Sequence, residues 1–282
     1  MICEKYTLNC KGSMDYARLE ILVQDPSDEI AVKKRPMIII CPGGGYEYTS
    51  AREAEPIAFT FMAEGYNCAI LYYSCAPARY PVALLELAES VRYIRKNASK
   101  WHVDKNAIIL QGFSAGAHLA ASYGCFWKDS VISKGIGLTG DVEVLRPNGQ
   151  ILCYPVITSG KYAHVGSIDN LCGDNKALRK KMSLENAVNA DTPPSFIWHT
   201  FTDESVPVEN SLLFVNALRE KKIPTEFHMY ASGGHGLSLS RDITLSRRGV
   251  ENEESVRSWT ELASAWLADK YPVTVKADLK GR

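Results

Sequence analysis

At 282 residues the chain is long enough to bury a substantial core, and 46% hydrophobic against 23% charged residues is the balance of an ordinary globular protein. Its 32 basic residues are matched by 32 acidic ones, which argues against nucleic acid or an anionic membrane as partner. The opening Met1-Ile2-Cys3-Glu4-Lys5-Tyr6 carries no apolar leader segment, and no later run reaches the roughly 18 apolar residues that could span a bilayer, so a cytoplasmic protein is expected.

Two alternating segments, Glu4 to Asn9 and Ala17 to Val23, flank Lys11-Gly12-Ser13 and predict an antiparallel hairpin at a sheet edge. Pro36 to Cys41 is a continuous apolar run of strand length, which implies burial on both faces. It ends in Pro42-Gly43-Gly44-Gly45-Tyr46. Consecutive glycines after a buried strand leave backbone N–H groups approachable, the chemistry of an oxyanion-hole segment, with Gly44 and Gly45 as the expected donors. In isolation the same residues read equally well as a glycine-rich turn. Tyr46 and Tyr48 are candidates to line a substrate cleft, or plain loop aromatics.

Ala51 to Glu64 is helical in pattern and closes at Gly65, and Tyr66 to Tyr73 supplies another buried strand. In Val82 to Asn97, Leu84, Leu87, Ala88, Val91 and Ile94 recur at helical spacing, and Arg92, Arg95 and Lys96 gather toward the C-terminal end, where cations suit the helix dipole. Alternating strands and helices predict parallel strands joined by right-handed crossovers, a doubly wound α/β sheet.

The stretch that organises the chain comes next. Ala107-Ile108-Ile109-Leu110 feeds into Gly112-Phe113-Ser114-Ala115-Gly116 and then into Ala117-His118-Leu119-Ala120, which reads as strand, sharp turn, helix. A serine at such a corner is exposed above the sheet edge, and glycines two residues to either side are what the tight turn admits. Ser114 is the candidate nucleophile. The N–H of Ala115 and the positive end of the following helix favour a developing oxyanion at the same place.

Beyond that helix the chain is irregular, with Gly135, Gly137 and Gly140, before a strand at Gln150 to Val156. Residues 157–194 show little regular patterning apart from short polar helices near Asn175 to Lys181 and Ser183 to Val188. Such an insertion is expected to form a lid or pocket wall, with Lys161, His164, Asp169, Asn170 and Arg179 among the polar groups suited to a hydrated substrate. No linker or repeat divides the chain, so one domain over residues 1–282 is expected.

A serine nucleophile needs a base, and histidine titrates nearest neutral pH. Of the six histidines, His102 precedes a strand on the wrong side of Ser114, His118 follows on its helix, His199 and His228 lie in strand patterns, and His164 occupies the insertion. His235 sits in Ser232-Gly233-Gly234-His235-Gly236, after the apolar strand Pro224 to Tyr230, and is the best placed. The orienting acid should fall between nucleophile and base at the end of a strand. Ser195 to Thr200 is that strand, Asp203 in the loop after it fits best, and Glu204 is the rival; Asp174 and Asp191 read as loop solvation or helix caps. The eight cysteines form no C-x-x-C pair, and several, such as Cys68 and Cys153, lie in apolar strands, so buried free thiols are expected. The histidines show no metal-ligand spacing, and no structural metal is expected.

Four segments in order, Pro42-Gly43-Gly44-Gly45-Tyr46, Gly112 to Ala120, Thr202-Asp203-Glu204-Ser205-Val206-Pro207-Val208 and Gly234-His235-Gly236-Leu237, resemble the α/β-hydrolase serine esterases. The likeness is to the acetyl-xylan-esterase-like branch, related to hormone-sensitive-lipase-type carboxylesterases, and runs from about residue 36 to 240. It implies a mostly parallel central sheet with helices on both faces and an antiparallel N-terminal edge, a Ser114-Asp203-His235 triad, and an oxyanion hole at Gly44, Gly45 and Ala115. The implied activity is removal of small O-acetyl groups from sugars such as xylo-oligosaccharides, with no metal or organic cofactor. The implied partner is a small-molecule ester, an acylated sugar; a homo-oligomer is left open. Relatives of the hormone-sensitive-lipase type usually place a histidine before these glycines, where this chain has Cys41-Pro42. The alternatives are a short-chain lipase, an acyl-peptide hydrolase, or a ligand-binding module on a hydrolase fold, the last disfavoured by a complete nucleophile-acid-base order.

Overall fold

In the computed structural model, which describes residues 1–247 and 252–275, the chain opens with two antiparallel strands, β1 (Ile2–Thr7) and β2 (Arg18–Val23). Leu19, Ile21 and Val23 on β2 are buried while Arg18, Glu20 and Leu22 are partly exposed, the period-two pattern of an edge with one face on the core. Strands and helices then alternate: β3 (Val32–Cys41), α1 (Glu55–Ala63), β4 (Asn67–Tyr72), α2 (Val82–Asn97), β5 (Val103–Phe113), α3 (Ala115–Phe126) and the short α4 (Ser130–Gly135). The second half runs β6 (Gly149–Cys153), α5 (Val165–Cys172), α6 (Lys176–Lys181), β7 (Ser195–Thr200), α7 (Glu209–Glu220), β8 (Thr225–Tyr230), α8 (Trp259–Lys270) and β9 (Thr274–Val275).

The sheet order is β1-β2-β4-β3-β5-β6-β7-β8, with β9 paired to the start of β3. Pairing is antiparallel across β1, β2 and β4 and parallel from β4 through β8, as the alternation of elements requires. Strand β3 shows how one segment serves two cores. Met37, Ile39 and Cys41 enter the layer that holds Leu87 and Val91 of α2, Leu119 of α3 and Phe214 of α7; Ile38 and Ile40 enter the opposite layer, with Ile57 and Phe61 of α1 and Trp259 and Leu267 of α8. Pro36, which has no N–H for the ladder, falls where the β3–β5 register shifts between Arg35 and Met37.

Parallel strands all end at the same sheet edge, so the segments that follow β3, β5, β7 and β8 converge there. Those segments carry Gly43 to Gly45, Ser114, Asp203 and His235. All eight cysteines are free, and Cys41, Cys68, Cys75, Cys125, Cys153 and Cys172 are buried. Among the described residues no helix is long and apolar enough to cross a membrane.

Candidate active site

Ser114 occupies the single residue between β5 and α3, at φ 52° and ψ −118°, a backbone state that side-chain-bearing residues enter only under constraint. The constraint is visible on both sides. A Cβ on Gly112 would lie 2.4 Å from the Ala117 Cα, and one on Gly116 would lie 2.1 Å from the Cys41 carbonyl oxygen. The second contact also brings the end of β3 against the start of α3, which sets the glycine turn beside the serine. The Ser114 N–H donates to the Cys153 carbonyl at 3.0 Å and its own carbonyl accepts from Val156 N–H at 3.2 Å, so β6 locks the corner from the other side.

The side chain of Ser114 meets His235 Nε2 at 2.7 Å, and His235 Nδ1 meets Asp203 Oδ2 at 2.6 Å. A carboxylate can only accept, so Nδ1 carries the proton and Nε2 is left to accept from the serine hydroxyl. Burial opposes ionisation of Asp203, but donors from His199 and His235, the His235 charge and the Val206 N–H outweigh it and hold the carboxyl well below its ordinary range. Glu204, the rival acid, is exposed to solvent.

His199, in strand β7, stands behind the acid rather than serving as the base. It is fully buried, with Nε2 3.2 Å from Asp203 Oδ2 and 2.9 Å from the Val206 carbonyl, and Nδ1 2.8 Å from Ser211 Oγ. Both neighbours of Nε2 accept, so that nitrogen is the protonated one. Asp203 is thus held on one oxygen by two imidazoles and on the other by the N–H groups of Ser205 and Val206, at 3.0 and 2.9 Å. The spacing of four residues between His199 and Asp203 was the one sequence signal available for this pair.

Opposite the serine, Gly44 and Gly45 line the same cleft at φ +131° and +66°, a region open to glycine at little cost. Among the described residues neither of their N–H groups, nor that of Ala115, has an intramolecular acceptor. The Gly43 N–H is already donated to Glu53 Oε2 at 2.8 Å. The cleft has a volume of about 640 Å³, and its side-chain walls include Glu47, Tyr48, Ser50, Arg52, His164 and Arg247.

Two sequence expectations change here. Tyr46, at φ 57°, turns inward rather than into the cleft: it is 3% exposed and its hydroxyl lies 2.9 Å from His118 Nδ1. Burial pushes His118 down to about 4, so it rests neutral between Tyr46 and the Met182 carbonyl. The insertion, expected to form a lid or pocket wall, contributes His164 to the cleft lining among the described residues. Three of its charges are engaged elsewhere: Asp169 pairs with Arg179, and Lys181 reaches Asp129 and Tyr80. A further link to the site is Asn170, whose amide donates to the Gly45 carbonyl at 2.9 Å and braces the glycine turn from outside.

The family BD-FAE matches residues 26–145 and the prolyl oligopeptidase family matches residues 147–269. The chain is 40% identical over 215 residues to a protein named endo-1,4-beta-xylanase B from Butyrivibrio fibrisolvens, covering 74% of this chain and 33% of that protein. It is 28% identical to an acetylxylan esterase from Xylanibacter ruminicola, over 84% of this chain and 46% of that protein. The chain therefore spans a third to about half of the length of these relatives. Among solved structures, an acetyl ester-xyloside bifunctional hydrolase from Caldicellulosiruptor lactoaceticus superposes with TM-score 0.80 at 36% identity, covering 92% of this chain and 89% of that one. The carboxylesterase Cest-2923 from Lactobacillus plantarum superposes with TM-score 0.82 at 31% identity, covering 98% and 100%.

Proposed function

The chain belongs to the acetyl-xylan-esterase-like α/β-hydrolases, and from that membership we propose that it is a serine ester hydrolase removing short acyl groups, acetyl foremost, from carbohydrates such as xylo-oligosaccharides. The observation that carries the reading is the unbroken chain Ser114 Oγ to His235 Nε2 at 2.7 Å and His235 Nδ1 to Asp203 Oδ2 at 2.6 Å, in a cleft that Gly44 and Gly45 also line. In this reading Ser114 attacks the ester carbonyl carbon while Nε2 of His235 takes the hydroxyl proton. The carbonyl oxygen gains the negative charge and is met by the N–H groups of Gly44, Gly45 and Ala115. Collapse of the tetrahedral adduct breaks the carbon–oxygen bond to the sugar, and His235 returns the proton to the departing hydroxyl. Water then repeats the cycle on the acylated serine and releases the carboxylic acid.

The names of the relatives support an acetylated xylan-type substrate, and the cleft walls support a short acyl group. Arg52, Glu47 and Ser50 suit hydrogen bonding to hydroxyls, whereas among the described residues the large apolar side chains of the lining are Tyr48 and Leu245. A long apolar channel would add about 0.8 kcal/mol for each buried methylene, about fourfold in affinity. We expect instead that kcat/KM for p-nitrophenyl esters is greatest at acetyl or propionyl and falls by hexanoyl, with acetylated xylo-oligosaccharides turned over. A steady rise through octanoyl would replace this reading with a lipase.

A further inference from the structure

Glu53 is a buried carboxyl beside the reacting groups that the steps above do not use. It ends the short 3-10 turn Ala51–Glu53 and is 3% exposed. Its Oε2 accepts the Gly43 N–H at 2.8 Å, and its Oε1 accepts the hydroxyl of Tyr154 at 2.6 Å. The Tyr154 oxygen in turn accepts the Ser238 N–H at 3.0 Å, and its ring stands edge-on to that of His235 with centroids 5.1 Å apart. Two further bonds tie the same pieces together: Ser50 N–H donates to the Gly43 carbonyl at 2.9 Å, and the Ser238 hydroxyl donates to the Arg52 carbonyl at 2.6 Å. The carboxyl fits so closely that a Cβ on Gly43 would lie 2.8 Å from Oε2.

We infer that Glu53 is a positioning residue that holds the oxyanion turn and the histidine loop in mutual register, through a carboxylate-phenol-amide bridge from Gly43 to Ser238. The geometry leaves little slack. Because Gly43 N–H is spent on Glu53, the next two N–H groups of the turn are the ones left facing the cleft. Because Tyr154 is anchored by the same carboxyl, its ring gives His235 a fixed wall and its oxygen fixes the backbone three residues further on. Burial pushes the Glu53 carboxyl up, while the Tyr154 and Gly43 donors and the His235 charge pull it back, so the bridge itself supports the ionised form. A glutamine there offers one acceptor instead of two. It keeps Gly43 and turns an amide N–H toward a Tyr154 oxygen that already accepts from Ser238, leaving the phenol proton without its acceptor.

The inference rests on the serine-esterase reading above, and the test separates the two. Wild type, Glu53→Gln, Glu53→Ala and Tyr154→Phe are compared for kcat and KM on p-nitrophenyl acetate, for thermal midpoint, and for inhibition by phenylboronic acid. The boronate forms a tetrahedral adduct on an active serine and reports on the oxyanion turn. Losing one oxyanion donor outright costs roughly 100- to 1,000-fold in kcat, so misplacing the turn in Glu53→Gln should cost roughly 10- to 100-fold. KM should stay within about threefold, with boronate affinity falling in step with kcat/KM, the signature of an interaction made in the transition state. Tyr154→Phe should show a smaller loss of the same kind. If Glu53→Ala does not fold, Glu53→Gln and Tyr154→Phe decide. Wild-type kcat and boronate affinity in a folded Glu53→Gln overturn the inference, as does a loss of activity that follows the thermal midpoint alone. A wild-type enzyme that phenylboronic acid does not inhibit, together with an active Ser114→Ala variant, overturns the esterase reading beneath it.

Discussion

Ser114→Ala is expected to lower kcat on p-nitrophenyl acetate by on the order of a million-fold while leaving the far-UV spectrum and thermal midpoint near wild type, and His235→Ala should do nearly the same. The two side chains act as one unit. The serine hydroxyl is scarcely ionised at neutral pH, and the partner placed to take its proton is His235 Nε2 at 2.7 Å. Removing either member abolishes the attack, which is why the second loss adds little to the first. Residual catalysis should come from the N–H groups facing the cleft, which can still polarise a bound ester for attack by water. The fold should tolerate both changes. Alanine at position 114 keeps the same backbone state that Gly112, Gly116 and the β6 contacts impose, and His235 is one-fifth exposed in a loop. Near-normal turnover by Ser114→Ala would end the proposal.

Asp203→Asn should cost about 10⁴-fold in kcat, and Glu204→Gln should be close to neutral. The magnitude follows from where protons must sit. Oδ1 of Asp203 is held by the N–H groups of Ser205 and Val206, so an asparagine would keep its oxygen there and place its amide nitrogen at the Oδ2 position. That position faces His199 Nε2 and His235 Nδ1, both donors in the wild type. Two donors and an amide N–H cannot coexist without one giving way. His199 is pinned by the Val206 carbonyl and Ser211, so the ring that changes is His235, which must move its proton to Nε2. A protonated Nε2 cannot accept from Ser114. In the wild type the carboxyl, held below its ordinary range by its two imidazole donors, stays charged throughout the range in which esterases are assayed. A damaged Glu204→Gln beside an active Asp203→Asn would assign the acid to the other carboxylate.

What the sequence disclosed and what it withheld follow a physical division. The corner at Ser114 was legible because its constraint is steric: backbone atoms approach Gly112 and Gly116 to within 2.4 and 2.1 Å of where a Cβ would stand, and that closeness is written as glycine. Gly44 is fixed the same way, with the Tyr48 carbonyl oxygen 2.1 Å from where its Cβ would stand, and Gly45 by its φ of +66°; strand ends in parallel order located Asp203 and His235. The strands β3, β4 and β7 were legible because burial on both faces leaves long apolar runs. Glu53 and Tyr154 were not, since they meet across 101 positions of the chain, and His199 was not, since its bonds to Asp203, Val206 and Ser211 form only where the loop after β7 folds back on the strand. In sequence Arg52-Glu53-Ala54-Glu55 looks like the charged first turn of a surface helix. Tyr46 misled for a local reason, because its left-handed backbone sends the ring toward His118 instead of the cleft. Helix α5 lay hidden in the insertion because its N-terminus is capped by the ring of His164, which accepts from the Ser167 N–H, where serine or aspartate is the usual mark. The insertion's charges suggested substrate contacts, yet composition cannot tell a residue facing a sugar from one facing its own neighbour, as Asp169 faces Arg179.

The central claim is that Ser114 is an activated nucleophile, and the most direct measurement is the mass of the protein and of its proteolytic peptides after reaction with a fluorophosphonate, which forms a covalent bond only with a serine whose proton is being removed. The expected result is a single phosphonate adduct on the peptide that carries Ser114, formed rapidly in the wild type, strongly slowed in His235→Ala and absent from Ser114→Ala. A wild-type protein that stays unmodified, or an adduct that forms undiminished in Ser114→Ala, would contradict it.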